Sequence, residues 1–385
     1  MANIKDTSAP ENIANGFDRR RFLSTSVALG AGAGSLLAGL GLRREALAQS
    51  VASASAPAAP ASPAQARPNF PPEPKVSQPP PLKDLRGKVA YVSAASDGIG
   101  LGIARAASNA GMKVVLGYRN EERLKAALPL FKPGNAGVLA VQHDVTDREA
   151  WKSLLEQIKT RYGKLHLVVN NAGVKTLRQA SQAKFEEWDN AVAVNFTAIY
   201  NSVAVCLPHM LEHGEGGHFV ATASMGGLLP GVNAGVYTST KIAAVGIMEA
   251  LRVELESTNI GTSVFCPGGV NTDNYVGTGE ENPFRKSHPP PPQFRNRGPS
   301  PSMDPLEAGE RVLNGVVNND LFILSHPEFK PGMQERFDAI MASTPPVETP
   351  IPEARVAYER GVIRCGIYPR EIEHRAIKRA SYRTV

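Results

Sequence analysis

Between residues 88 and 269 short apolar runs alternate with longer segments whose apolar residues recur at helical spacing, and this alternation leaves few folds open. KVAYVSAAS (88–96) reads as a strand that ends in small residues. Ile99, Ile103 and Ala107 then share one helical face, and Gly111 can end that helix. The rhythm continues with a strand KVVLGYR (113–119), a helix EERLKAALPLF (121–131), a strand GVLAVQHDV (137–145) and a helix from Asp147 to Gly163. A strand LHLVVNNAG (165–173), a helical stretch 185–213, a strand GGHFVATAS (216–224), a helix 236–257 and a strand GTSVFCPGG (261–269) complete it. Runs this apolar are buried on both faces, so the pattern predicts a parallel sheet covered by helices on each side. Right-handed crossovers make that sheet doubly wound. LFILS (321–325) is the expected last of about seven strands, behind a helix that Asp304 caps and Pro305 opens.

The flanks are of a different texture. Asp18–Ser24 reads DRRRFLS and precedes an apolar run diluted by glycine, STSVALGAGAGSLLAGLGL, and then Ala46-Leu47-Ala48. A charged start, a moderate apolar stretch and an A-x-A site together read as a signal peptide over 1–48. The arginine pair resembles the twin-arginine (Tat) signal, which implies the Tat export machinery as a partner and a periplasmic destination. Residues 49–81 are rich in Ala, Pro and Ser and read as a disordered tether. No window reaches the ~18 strongly apolar residues of a spanning helix, so no stable membrane insertion is expected after cleavage. The net charge of +6 is scattered rather than striped, which argues against a nucleic-acid partner. Three dispersed cysteines give neither a disulfide framework nor a metal site, and no metal is expected. After Thr272 a Pro- and Gly-rich loop (273–303) excludes regular structure and occupies the place of a substrate loop, with Tyr275, Phe284 and Phe294 as candidate contacts. His288 and His326 read as surface residues. The tail 331–385 is expected to hold one helix and then an irregular extension.

Two sets of residues carry chemistry. The first is SAASDGIG (93–100), where Gly98 and Gly100 open a helix directly after the first strand. Glycine there lets the backbone approach a pyrophosphate, and the helix start supplies N–H donors and a favourable dipole. A tight turn would look the same; its place after the first strand favours the phosphate. No carboxylate ends the second strand. Arg119 stands there instead, a planar cation suited to a 2′-phosphate, so NADP(H) is favoured over NAD(H). Asp144 can accept from an adenine amine.

The second set is Ser224 with Tyr237 and Lys241 in YTSTK. Residues four apart share a helix face, so the ammonium lies beside the phenol. A neighbouring cation lowers a phenol pKa from about 10 towards neutrality and makes it a proton donor or acceptor. Alone, Y-x-x-x-K is more often a surface pair.

Taken in order, SAASDGIG, the Asp of HDV, NNAG (170–173), Asn195 in VNFTAIY, Ser224, YTSTK and CPGGVNT (266–272) resemble the short-chain dehydrogenase/reductase superfamily, over roughly residues 84–275. The resemblance implies a single Rossmann-type domain, here 82–330, with an alcohol or carbonyl substrate of small size. It implies Tyr237 as general acid/base, Lys241 lowering its pKa and holding the nicotinamide ribose, Ser224 positioning the substrate and Asn195 anchoring a proton relay. The cofactor would meet Ser93, Ala95, Ser96, Gly98, Ile99, Gly100, Arg119, Asp144, Val145, Asn171, Ala172, Gly173, Tyr237, Lys241, Pro267, Gly268, Val270 and Thr272. The family turn begins Thr-Gly, whereas this chain has Ser93-Ala94; Ala94 is unfavourable there if its φ is positive. A homodimer or homotetramer through the helices that carry Asn195 and Tyr237 is implied as well. The alternative is an exported dinucleotide-binding protein without net redox turnover.

Overall fold

The computed structural model describes residues 74–131, 137–272, 302–346, 350–363, 366–377, 379–381 and 383. The signal peptide, most of the tether, and Tyr275, Phe284, His288 and Phe294 in the 273–303 loop lie outside them.

The strands are β1 (Val89–Val92), β2 (Lys113–Tyr118), β3 (Val138–Gln142), β4 (Leu167–Asn170), β5 (Gly217–Thr222), β6 (Ile260–Cys266) and β7 (Phe322–Leu324). They form one sheet in the order β3-β2-β1-β4-β5-β6-β7, and every neighbouring pair is parallel. This is the doubly wound Rossmann-type arrangement, with the order reversing between β1 and β4. Alternate residues of one strand serve opposite layers, which explains the continuous apolar runs. Val89 and Tyr91 face the layer that holds Trp151, Ile158, Met210 and Met248. Ala90 and Val92 face the layer that holds Ile103, Val312 and Val316.

The first layer is made by α3 (Arg148–Tyr162), α5 (Ala198–His213) and α6 (Gly235–Leu255); the second by α1 (Gly98–Asn109) and α7 (Pro305–Asn318). The short helices α2 (Glu121–Ala127) and α4 (Phe185–Val192) complete the alternation. Caps are where the sequence puts them. Asp147 Oδ1 accepts from the Glu149 and Ala150 amides, at 2.8 and 3.1 Å. Asp304 Oδ1 accepts from Leu306 N at 2.7 Å, with Pro305 at the first helical position.

Three readings change. The helical run Phe185–His213 is, by length and composition, apolar enough to cross a membrane (mean hydropathy 1.5), where no such window was expected. Its Ala191, Ala198, Ile199, Cys206 and Met210 are buried inside the protein. The tail is not irregular after one helix: α8 (Lys330–Ala342) is followed by α9 (Glu353–Val362) and α10 (Ile367–Ala376). Short charged helices of this kind give little periodic signal, and α10 is held by tertiary contacts instead. Finally, residues 74–81 of the expected tether pack on the domain. Gln78 is buried, and its Nε2 lies 3.0, 2.8 and 3.0 Å from the carbonyls of Leu255, Thr258 and Ile260. Ser77 Oγ donates to Arg370 O at 2.7 Å, and Arg370 Nη1 donates to Pro74 O at 2.8 Å. This segment and α10 therefore interlock beside the amino ends of β6 and β7, the edge opposite the motifs.

Candidate active site

The expected site residues converge at the carboxyl ends of the strands. β1 delivers the turn 93–98. Ser93 Oγ accepts from the Asn171 and Ala172 amides (2.8 and 2.9 Å) and reaches Val169 O at 3.3 Å, tying the end of β1 to the end of β4. Asn171 Nδ2 donates to Ser93 O (3.3 Å), and its Oδ1 accepts from Thr222 Oγ1 (3.2 Å). Ala94 has φ +49°, the positive angle that makes alanine costly and that a glycine would adopt freely. Gly100 sits where a Cβ would come within 2.3 Å of Ala94 O and 2.6 Å of Asn171 Nδ2, so only glycine lets the helix start this close to the turn.

Helix α1 begins without a side-chain cap. Asp97 is the capping residue by position, yet its carboxylate makes no cap hydrogen bond and pairs with Arg123. Thr272 lies against the same turn, since a Cβ on Gly98 would meet its Cγ2 at 3.0 Å. A glycine-lined helix start with no cap of its own suits a diphosphate, whose oxygens would take the first-turn N–H groups. These residues fit the group the sequence implies. The chemistry a nicotinamide dinucleotide supplies when bound is hydride transfer.

Arg119 is exposed at the end of β2, and its charge acts on Asp144 beyond β3. Asp144 is exposed; slight burial raises its pKa, but hydrogen bonds from Thr146, with Arg119 nearby, bring it below the usual value. Asp144 Oδ1 accepts from both Thr146 N (2.9 Å) and Thr146 Oγ1 (2.8 Å). Val145 is buried beside it.

Asn195 lies in a five-residue π-helical segment, Ala193–Thr197, between α4 and α5. Such local widening is common at functional positions. Its Oδ1 accepts from Val174 N (2.8 Å), and its Nδ2 donates to Val174 O (3.0 Å) and Thr240 Oγ1 (2.9 Å). Val174 and Thr240 thus orient Asn195 together. Lys241 is buried, and its Nζ donates to Thr222 O at 2.8 Å. Burial of the ammonium pulls its pKa down to about 8, only partly opposed by the nearby Cys266. The same Nζ stands 5.7 Å from the Tyr237 ring centroid. Ser224 and Tyr237 flank Gly226: a Cβ there would be 3.2 Å from Tyr237 Cε1 and 3.5 Å from Ser224 Oγ. Lys241 Nζ and Asn195 Oδ1 flank Gly173 in the same way, at 3.3 and 3.4 Å. A hydroxyl, a phenol, an ammonium and an amide therefore line one crevice, an arrangement able to hold an oxygen and exchange a proton with it.

The turn after β6 closes the crevice. Pro267 O accepts from Met225 N at 2.8 Å, which links this turn to the one that carries Ser224. Val270 bridges Met303 in parallel register, and Thr272 is buried. His326, expected at the surface, is buried beneath Gly268 and Gly269. No spacing rule in the sequence pairs it with a turn nearly sixty residues away.

The profile of the short chain dehydrogenases matches residues 88–282. Among curated proteins the chain is 26% identical over 294 residues to the C alpha-dehydrogenase of Sphingobium sp., covering 72% of this chain and 93% of that protein. Among solved structures it resembles a putative short-chain dehydrogenase from Novosphingobium aromaticivorans (TM-score 0.63, 30% identity, 76% of this chain and 99% of that one). It also resembles a short chain dehydrogenase/reductase from Burkholderia phymatum in complex with NAD (TM-score 0.59, 26% identity, 70% and 99%). The chain belongs to the short-chain dehydrogenase/reductase family. It is an oxidoreductase of that type, and its cofactor is a nicotinamide dinucleotide of the NAD(P) class.

Proposed function

We propose that this oxidoreductase interconverts an alcohol and a ketone on a small molecule, with Tyr237 as the general acid/base. The observation that carries the reading is the meeting of Ser224 and Tyr237 around Gly226, with the buried Lys241 ammonium behind the phenol ring. Ser224 Oγ holds the substrate oxygen, and Tyr237 gives it a proton in reduction or removes one in oxidation. Lys241 favours the phenolate through its charge. Asn195, held by Val174 and Thr240, is pre-set to anchor the relay that returns the proton to solvent. Arg119 and the absence of an acid at the end of β2 support NADP(H) over NAD(H).

The twin-arginine motif in 18–24 supports export by the Tat route to the periplasm, in a form already folded around its dinucleotide. Tyr200 and Ile242, half-exposed on α5 and α6, support association through those helices as a homodimer or homotetramer. The test is an absorbance assay at the reduced-nicotinamide band against panels of ketones and secondary alcohols. Turnover with either dinucleotide is expected. Tight dinucleotide binding with no absorbance change for any substrate would favour a binding protein or an isomerase that uses the cofactor internally.

A further inference from the structure

One imidazole spans the middle of the turn Pro267–Val270. Gly268 N donates to His326 Nδ1 at 2.9 Å, so that nitrogen carries no hydrogen; the hydrogen is on Nε2, which donates to Gly269 O at 3.1 Å. Ser325 Oγ stands 2.8 Å from Nδ1 as a second donor. One ring thus satisfies the N–H of one residue and the C=O of the next. The fit is close: a Cβ on Gly268 would lie 2.8 Å from His326 Cγ and Cδ2 and 2.9 Å from Phe329 Cε2. Gly269 O also accepts from Met303 N at 3.0 Å, and Met303 O accepts from Asn271 N at 2.9 Å. The family resemblance implies that Val270 meets the nicotinamide carboxamide through its backbone and Thr272 the phosphates, and both continue from a peptide pair whose orientation His326 sets.

We propose that His326 is a positioning residue for the nicotinamide half of the dinucleotide, acting through the backbone of the Gly268–Gly269 turn without touching the cofactor. The inference rests on the reading of residues 267–272 as a cofactor turn. His326→Phe keeps an aromatic ring against Phe329 and removes both bonds. His326→Asn keeps an acceptor for Gly268 N and removes the donor to Gly269 O.

Affinity is measured calorimetrically on the full chain for NADP⁺, NAD⁺ and, as probes lacking nicotinamide, ADP-ribose and its 2′-phosphate. His326→Phe is expected to weaken the better dinucleotide about tenfold, the scale of one buried backbone N–H losing its partner while Gly269 O keeps Met303 N as its donor, and the matching ADP-ribose changes less than about twofold. His326→Asn is expected to fall between wild type and His326→Phe, and it carries the test if the Phe variant does not fold. Equal losses for dinucleotide and ADP-ribose, or wild-type affinities in the Asn variant, would overturn the role of His326 alone. A wild-type chain that binds ADP-ribose as tightly as the whole dinucleotide would overturn the reading of the turn, and the inference with it.

Discussion

At the carboxyl edge of the sheet, Ser93, Asn171, Thr222, Asn195 and Thr240 bond to one another or to nearby backbone through short neutral side chains. At the amino edge the polar residues are long and charged. Arg252 donates to Asn319 O at 3.0 Å, to Thr262 Oγ1 at 3.2 Å and to Thr262 O. Arg370 pairs with Glu256, and Asp320 gathers Arg375 and Arg379. Buried side-chain atoms of His218, Glu256 and Asn319 at this edge have no hydrogen-bond partner, and Asp320 Oδ1 and His374 Nε2 face each other only at 3.5 Å. The difference is one of purpose. Short side chains have few rotamers and fix a geometry; long cations reach across and fasten the two ends of the chain to the domain, leaving some groups unpaired. In a parallel α/β sheet the helix starts gather at the carboxyl end, and the short side chains there leave them open for a site.

If this contrast holds, damage at the two edges separates cleanly. Tyr237→Phe should lower kcat by about 10²–10⁴-fold while dinucleotide affinity and melting temperature stay near wild type. Retained turnover in steady-state assays would remove the phenol from the mechanism. Arg252→Met should do the reverse: kcat per folded molecule unchanged, and stability to denaturant reduced by about 2–4 kcal/mol as buried carbonyls lose their donor.

Acid should attack through the buried histidines. Burial holds His143 and His166 down to about 4 and His218 to about 3. The unfolded chain takes up these protons near pH 6.5 and the folded chain does not, so stability is full above that pH and falls as pH drops towards 4. His218→Asn should reduce the slope of stability against pH in that window by about 1.4 kcal/mol per pH unit, one proton's worth, in denaturation curves taken at several pH values. The smallest effect belongs to Ala94→Gly, which should stabilise the protein by about 1 kcal/mol or less through relief of the positive φ, offset in part by a more flexible unfolded chain. Destabilisation by that change would mean that the alanine methyl contributes contacts which outweigh its strain.

The carboxyl edge was largely legible from sequence because its motifs are local. Glycine and small residues in 93–100 mark a turn, four-residue spacing places Lys241 behind Tyr237, and the apolar runs give a parallel, doubly wound sheet through the crossover rule. The departure from the family's Thr-Gly marked Ala94 as costly only if its φ is positive, and the structure supplies that angle. The rest was hidden because it is made by distant pairs. Asp97 pairs with Arg123 on the next helix, a contact that no local spacing announces. His326 had no neighbour in sequence to suggest a role. Pro74–Pro81 reads as tether by composition, and only the carbonyls at the end of α6 and the start of β6 give Gln78 a place to go.

The seam also fixes how the molecule can be handled. Because residues 74–81 are fastened at the amino edge, Pro74 lies on the side away from the crevice. A bead or a surface coupled at Pro74 itself would hold the domain from behind, with its mouth turned outward. The C-terminal helix offers no such freedom. Removing α10 strips Arg370 from Glu256 and from Pro74 together, so trimming one terminus loosens the other.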